Sequence, residues 1–344
     1  NCRAQAGGGI YFYQSNAALT GNRISGSVCN EFYTGTKVGG GIFALESSLT
    51  LTGNTLSEND GYRYGGGIGI ISGSAVFYGD SVVGNDCTTN GGGIYADHAS
   101  LDMSHTTITG NTSVTFGGGI YHRGEAIDIS NSLVALNEAG ILGGGVYTDS
   151  AWGEIANNTI DRNGSVHAGG NLFLGEMVSL AVINNSISFG HGNGFEAGTL
   201  DNILFQYNIS YGNTPEDIVT VTVDSTNLSC DPGYADTTTL DYQLLVHSCG
   251  IDAGDPGGET DPDGSPLDIG MYGGPDAVTT APEFVKNLSA IAADDSTITL
   301  SWDPMLPGGL NGFAVYADTI PDFPCNESTC LGIFPPTEYS YIHS

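Results

Sequence analysis

Three carboxylates stand at one interval in this chain: Asp102, Asp128 and Glu154 are each 26 residues apart. Leu101 and Met103 flank the first, and Ile127 and Ile129 the second, so on strands all three point away from the core. Carboxylates stacked about 5 Å apart raise one another's proton affinity or recruit a cation. Retaining glycosidases use a pair at a similar separation. The plainer reading is a solvated acidic stripe. A second column is aromatic: Tyr95, Tyr121, Tyr147 and Phe173. Such rings stack on sugars or on one another, and following an inward Ile they are expected on the outer face. A third group is the oxygen-rich loop "DPGGETDPDGSPLD", with Asp255, Asp261, Asp263 and Asp268. Its composition suits calcium, although no Glu stands at the twelfth position as in an EF-hand; an acidic turn is the alternative. Arg123 lies in phase with Asp97 and Asp149, the spacing of a charge ladder. His98, His105, His122, His167 and His191 share no column that would bind a metal.

The elements that must position these columns follow from the same interval. Triple glycines begin at Gly39, Gly65, Gly91, Gly117 and Gly143, and "GGN" begins at Gly169; an earlier copy at Gly7 precedes Gly39 by 32 residues. Asn59, Asn85, Asn111, Asn137 and Asn163 keep the same beat, each three residues after an aliphatic residue. Two markers in phase over five copies define a repeat architecture. Within a unit the apolar residues alternate with period two, and turn residues separate three short strand-like runs. The fold class is therefore all-β, a parallel β-helix in which each coil pairs with the next about 4.8 Å away. Ile10, Ile42, Ile68, Ile94, Ile120, Val146 and Leu172 form one expected inward stack. The Asn column is expected in a turn at positive φ, with its amides bonded along the axis.

Composition narrows the function classes. The 344 residues carry 7 Lys+Arg against 38 Asp+Glu, a net charge of −31. Such a surface repels nucleic acid and anionic membranes, and no apolar run is long enough to span a bilayer. The chain opens almost inside a coil, so it reads as a fragment of a longer protein. Among seven cysteines, Cys230 with Cys249 and Cys325 with Cys330 bracket short segments, and Cys2 and Cys29 meet one coil apart. Cys87 is the odd thiol. Three pairs argue for an extracellular or cell-surface location. Eight N-x-S/T sequons are compatible with glycosylation, though Asn111 and Asn163 belong to the ladder.

Residues 1–215 read as coils, 216–278 as a final irregular coil and cap, and 279–344 as a separate antiparallel β-sandwich module. The "GGGI" corner with its hydrophobic-x-x-Asn marker resembles the repeat of polymorphic outer membrane proteins, GGA[I/L/V] with FxxN. More broadly it resembles the right-handed parallel β-helix, or pectate-lyase-like, superfamily. The third Gly in place of Ala, and Leu, Ile or Val in place of Phe, depart from the pattern. Residues 282–344, with "TLSW" and "FAVYAD", are similar to a partial fibronectin type III domain. The superfamily resemblance implies cleavage of acidic polysaccharides, which calls for a cation and a basic residue as base. The coils' few basic residues share no column in adjacent coils. The expected function is thus an extracellular or cell-surface structural, adhesin-type protein whose partners are glycans or other surface proteins. The alternative is a carbohydrate-active enzyme (polysaccharide lyase or glycoside hydrolase) or a glycan-binding module. Calcium is the cofactor the composition suggests.

Overall fold

The computed structural model describes residues 3–4, 7–29, 38–198, 202–219 and 224–277, and five short strands between Ser289 and His343. Residues 1–277 form one compact unit and residues 278–344 a second. The first is a parallel β-solenoid. Its pattern is clear in the coil Ile120–Arg123, Ala126–Ser130, Leu133–Ala135 and Glu138–Ala139. Each segment pairs in parallel with its counterpart 26 residues on, Ile120 with Val146 and Leu133 with Thr159. The reading of three strands per unit undercounts by one. The first two segments share a 15-stranded sheet, the third builds an 8-stranded sheet and the fourth a 4-stranded one. In two coils the first two segments run together, as Ile68–Tyr78 and Ile94–Ser104. Among the described residues no helix is long and apolar enough to cross a membrane.

Single residues in the left-handed conformation turn each coil. His105, Asn131 and Asn157 mark the corner after the second segment, and Gly110, Leu136 and Arg162 the corner after the third. Here the expectation for the Asn column needs correcting. The residue at positive φ is the one before each Asn: Glu58, Gly84, Gly110, Leu136 and Arg162. The asparagines follow it and turn their side chains inward, where they are at most 1 % exposed. Close approaches to backbone, and at the third place to that inward amide, explain the glycine triplet. A Cβ on Gly91 would meet Ile94 O at 2.3 Å, one on Gly92 Thr112 O at 2.3 Å, and one on Gly93 both Gly119 O at 2.7 Å and the Asn111 carboxamide at 3.0 Å. The third glycine makes room for the next coil's carbonyl and for the amide.

The core is one continuous stack. Ile42, Ile68, Ile94, Ile120, Val146 and Leu172 are fully buried, and Ile10 in the first coil is partly so. Residues 224–228 lie on the C-terminal end, with Leu228 bridging Ile209 and Asn227 accepting from Asn208. From there the chain turns aside. The hairpin Tyr234–Asp236 with Asp241–Leu244 and the segment behind it pack on the outer face of the third sheet. That face presents Leu133 and Ala135 outward, and burying them with Tyr242 removes apolar surface from water. In the second unit, Ser289–Ala292, Ile298–Ser301 and Ser340–His343 form one antiparallel sheet, and Phe313–Tyr316 pairs with Cys330–Phe334.

Candidate functional site: columns of the coil wall

The acidic column forms as expected. Asp102 pairs with Asp128 and Asp128 with Glu154, all three exposed. Asp128 Oδ1 accepts the Glu154 N–H at 3.0 Å, because Gly153, at φ 133°, swings that peptide out of the ladder. Trp152, two residues along the same face, is 51 % exposed; the sequence reading missed it.

The aromatic column stacks, but as a covered seam. Tyr95, Tyr121, Tyr147 and Phe173 lie 5.1, 5.2 and 5.5 Å apart, within 7° of parallel. Tyr64 and Phe116, from the residues just before the glycine corners, close over them, and Tyr95 and Tyr121 are buried. These rings lie outside the main core, yet they form a small apolar cluster of their own. Their faces are taken up by one another, the mutual stacking that the sequence offered beside sugar binding, and the cover from Tyr64 and Phe116 was not foreseen. Burial raises the proton affinity of the phenols, Tyr147 to about 12. Arg123 donates to Asp97 at 2.9 Å, and Asp149, next in the column, accepts from the backbone of Glu176.

The amide ladder is complete and unidirectional. Each Nδ2 donates to the Oδ1 one coil on and to a carbonyl one coil back; Asn111 reaches Asn137 Oδ1 and Val82 O, both at 2.9 Å. Its Oδ1 accepts the N–H and the Nδ2 of Asn85. Asn163 passes the chain to Asn171, then Asn213, and Asp217 ends it. Two further ladders were not foreseen. Asn22 and Asn54 run into Asp80, and Asn158, Asn185, Asn208 and Asn227 into Asp224. All three therefore close on a carboxylate, which accepts without needing a further acceptor. The sequons Asn111, Asn163 and Asn208 have the nitrogen a glycan would occupy engaged inside the wall.

The loop carboxylates are engaged one by one. Asp255 accepts from Gly257, Asp261 from Asp268 and Gly274, Asp263 from Ser265, and Asp268 from Asp252, all at backbone N–H groups. Burial, with the neighbouring carboxylates adding to it, moves Asp268 up to about 6. Among the described residues no group of three or more His, Cys, Asp or Glu is arranged to hold a metal ion.

Cys230 and Cys249 form a disulfide. Cys87 is a free thiol, buried and pushed up to about 12 chiefly by that burial. Cys29 is buried in strand Val28–Cys29; Cys2, Cys325 and the side chain of Cys330 lie outside the described residues.

Two buried ionisable groups escaped the sequence reading. His122 points into the core with Nδ1 at 3.0 Å from Thr148 Oγ1 and Nε2 at 3.1 Å from Ala99 O. Burial lowers its affinity for a proton to about 4. Asp161, fully buried, accepts from Tyr242 at 2.8 Å, Ser188 at 2.7 Å and Arg162 at 2.5 Å. It ties the hairpin to the wall. Only its alternation could have hinted at it, since Ile160 faces inward and Asp161 therefore outward. No family model, curated protein or solved structure matches the chain.

Proposed function

We propose that this chain is an extracellular or cell-surface protein of structural, adhesin type. Its solenoid serves as a rigid rod that carries a fibronectin type III-like module and presents its walls to glycans or other surface proteins. The observation that carries this reading is the direction of the wall's polar chemistry. The buried asparagines bond along the axis to their counterparts, and the tyrosines stack along it. Such side chains stiffen a rod rather than converge on a substrate. The Cys230–Cys249 disulfide supports an oxidising compartment. Antibody against residues 1–277 should label intact source cells and lose its target to external protease. Labelling only after permeabilisation would overturn the reading.

A carbohydrate-active function is the second reading. The exposed Trp152 beside Asp128 and Glu154 favours it, because an indole face with flanking acceptors suits a pyranose. Under the first reading the purified chain releases no unsaturated product from polygalacturonate or alginate; measurable turnover would promote the second.

A further inference from the structure

Residues 250–277 run back along the flank of the solenoid, against the order of the coils. Their anchors lie at the corners between second and third segments. Asn184 accepts the Asp255 N–H on Oδ1 and the Gly270 N–H on its carbonyl, both at 2.9 Å. One coil back, Met271 N–H donates to Thr159 Oγ1 at 3.2 Å, and Gly274 packs so closely on Asn157 that a Cβ would lie 2.5 Å from its Nδ2. In the coil before, Asn131 Nδ2 donates to Gly273 O at 2.7 Å, and in the next His105 Nε2 donates to Asp276 O at 2.7 Å. At the same corner the three earlier coils have Gly21, Gly53 and Gly79, each with open space where a side chain would stand. The column thus carries anchors where the segment lies and none beyond it.

This attachment differs in kind from that between coils. Coils share uninterrupted ladders and one core, whereas the segment has one or two bonds per coil. Its apolar burial is concentrated before Gly273: Leu267 and Ile269 are buried, and Met271 and Tyr272 pack beside Leu133, Ala135 and Tyr242. Beyond Tyr272 the one buried apolar side chain is the small Ala277, and the wall is held by the hydrogen bonds to Gly273 and Asp276 and the close approach of Gly274. Three buried side-chain atoms lack a partner among the described residues, and two of them, His105 Nδ1 and Asn157 Oδ1, belong to these corners. The other end is held differently: Cys230–Cys249 closes the chain covalently, and Tyr242 bonds the buried Asp161. Regions with few apolar contacts and isolated hydrogen bonds open below the global unfolding free energy.

We propose that residues 250–277 are a peelable strap, which opens from the His105 end one coil at a time while the coils stay folded, with the Cys230–Cys249 loop as its stop. On a surface rod, a use that rests on the function proposed above, the strap is an extensible tether. A pull on the chain beyond it releases the anchors in series, giving on the order of 90 Å of extended chain before any coil yields.

Hydrogen exchange on the full 344-residue chain, followed by mass spectrometry, tests this. In the wild type, peptides covering residues 270–277 should exchange about tenfold faster than those covering Gly93 to Asn111, with residues 250–269 between them. The double variant His105→Gly/Asn131→Gly installs the residue that the earlier coils use at this corner, so the solenoid still folds. It should speed exchange of residues 270–277 by a further factor of about ten and leave coil peptides unchanged. Strap exchange as slow as the coils, opening first at the disulfide end, or equal acceleration of strap and coils would each overturn the proposal. The measurement is independent of where the protein resides, so failure of the surface reading and failure of the strap are told apart.

Discussion

Asn111 makes four side-chain hydrogen bonds, two accepted and two donated, and has no exposed surface. Replacing it with Leu strands two donors of Asn85 and the carbonyl of Val82, at about 3–5 kcal/mol by the penalty for buried unsatisfied groups. Gly at this position should lose about 3 kcal/mol, because it strands the same groups and gains nothing conformationally. Gly110→Ala isolates the other half of the turn: its Cβ meets nothing closer than Gly84 N at 3.9 Å, leaving only left-handed strain of about 1 kcal/mol. Urea melts of the three variants check the order Leu, Gly, then the Ala at 110. His122 gives a pH dependence with a definite sign. Its folded-state affinity, lowered from 6.5 to about 4 by burial, favours the neutral ring. Stability from this group is therefore whole above pH 6.5 and falls as pH drops towards 4, by roughly 3 kcal/mol in all. Leu174 holds the same position two coils on, so His122→Leu is a compatible control. The stability of wild type minus that of the variant should shrink between pH 7 and 4.5; a difference that stays constant removes His122 from the acid response.

At the scale of elements, one coil has exchanged the partners of its corner. Elsewhere a glycine faces an asparagine, as Gly145 faces Asn163 and Gly194 faces Asn213. In the coil between, Asn171 fills the glycine position and Gly190 the asparagine position, and the ladder passes through Asn171 without a break. Gly190→Asn alone should be destabilising, since its Cβ already lies 2.6 Å from Asn171 Nδ2. Asn171→Gly alone breaks the ladder. The double variant restores the common arrangement and should recover about 2 kcal/mol over the sum of the singles in a thermal-melt cycle. The 26-residue period and the inward stack were legible because register is a property of spacing, and a ladder repeats its residue type. The corner residue was not, because Glu58, Gly84, Leu136 and Arg162 share only a backbone angle, while the invariant Asn beside them drew the inference one place too far. The burial of the tyrosines was hidden for another reason. Tyr64 and Phe116 close the seam from the previous corner, and nothing in the local pattern says that this chain folds over it. The strap left a trace: a column that is Gly at 53 and 79 becomes His105, Asn131 and Asn157. Such a change from glycine to bonding side chains is a readable sign of a contact from far along the sequence.

Residues 1–277 are close to one-dimensional in their contacts, since each coil touches its neighbours and the strap touches only the later ones. Stability in such a chain is approximately a sum over coils and interfaces, and this permits a severe test of register. Deleting residues 54–79 joins Gly53 to Asp80 and removes one coil away from the strap. The inward stack and the amide columns then meet their own kind, while Val38 meets Asn90 in place of Tyr64. Ser27 donates to Asn85 in place of Asn59, Asn22 meets Asp80 directly, and Ile42 stacks on Ile94. The aromatic seam also closes up, because Gly69, the one coil without a ring between Phe43 and Tyr95, is gone. Tyr64 is lost with it, so the seam exchanges one ring contact for another. This shortened chain should fold with an unchanged strand spectrum and a melting temperature within about 5 °C of wild type. Deleting residues 54–78, one residue fewer, shifts the first coils by one place against the rest. Period-two side chains are then reversed across that junction, so inward aliphatic residues face solvent and the ladder asparagines meet no partner. That variant should lose cooperative melting in the first two coils. Circular dichroism melts of the two deletions decide the point: if both melt alike, the columns do not set the register, and the stacking of like on like is incidental to the fold.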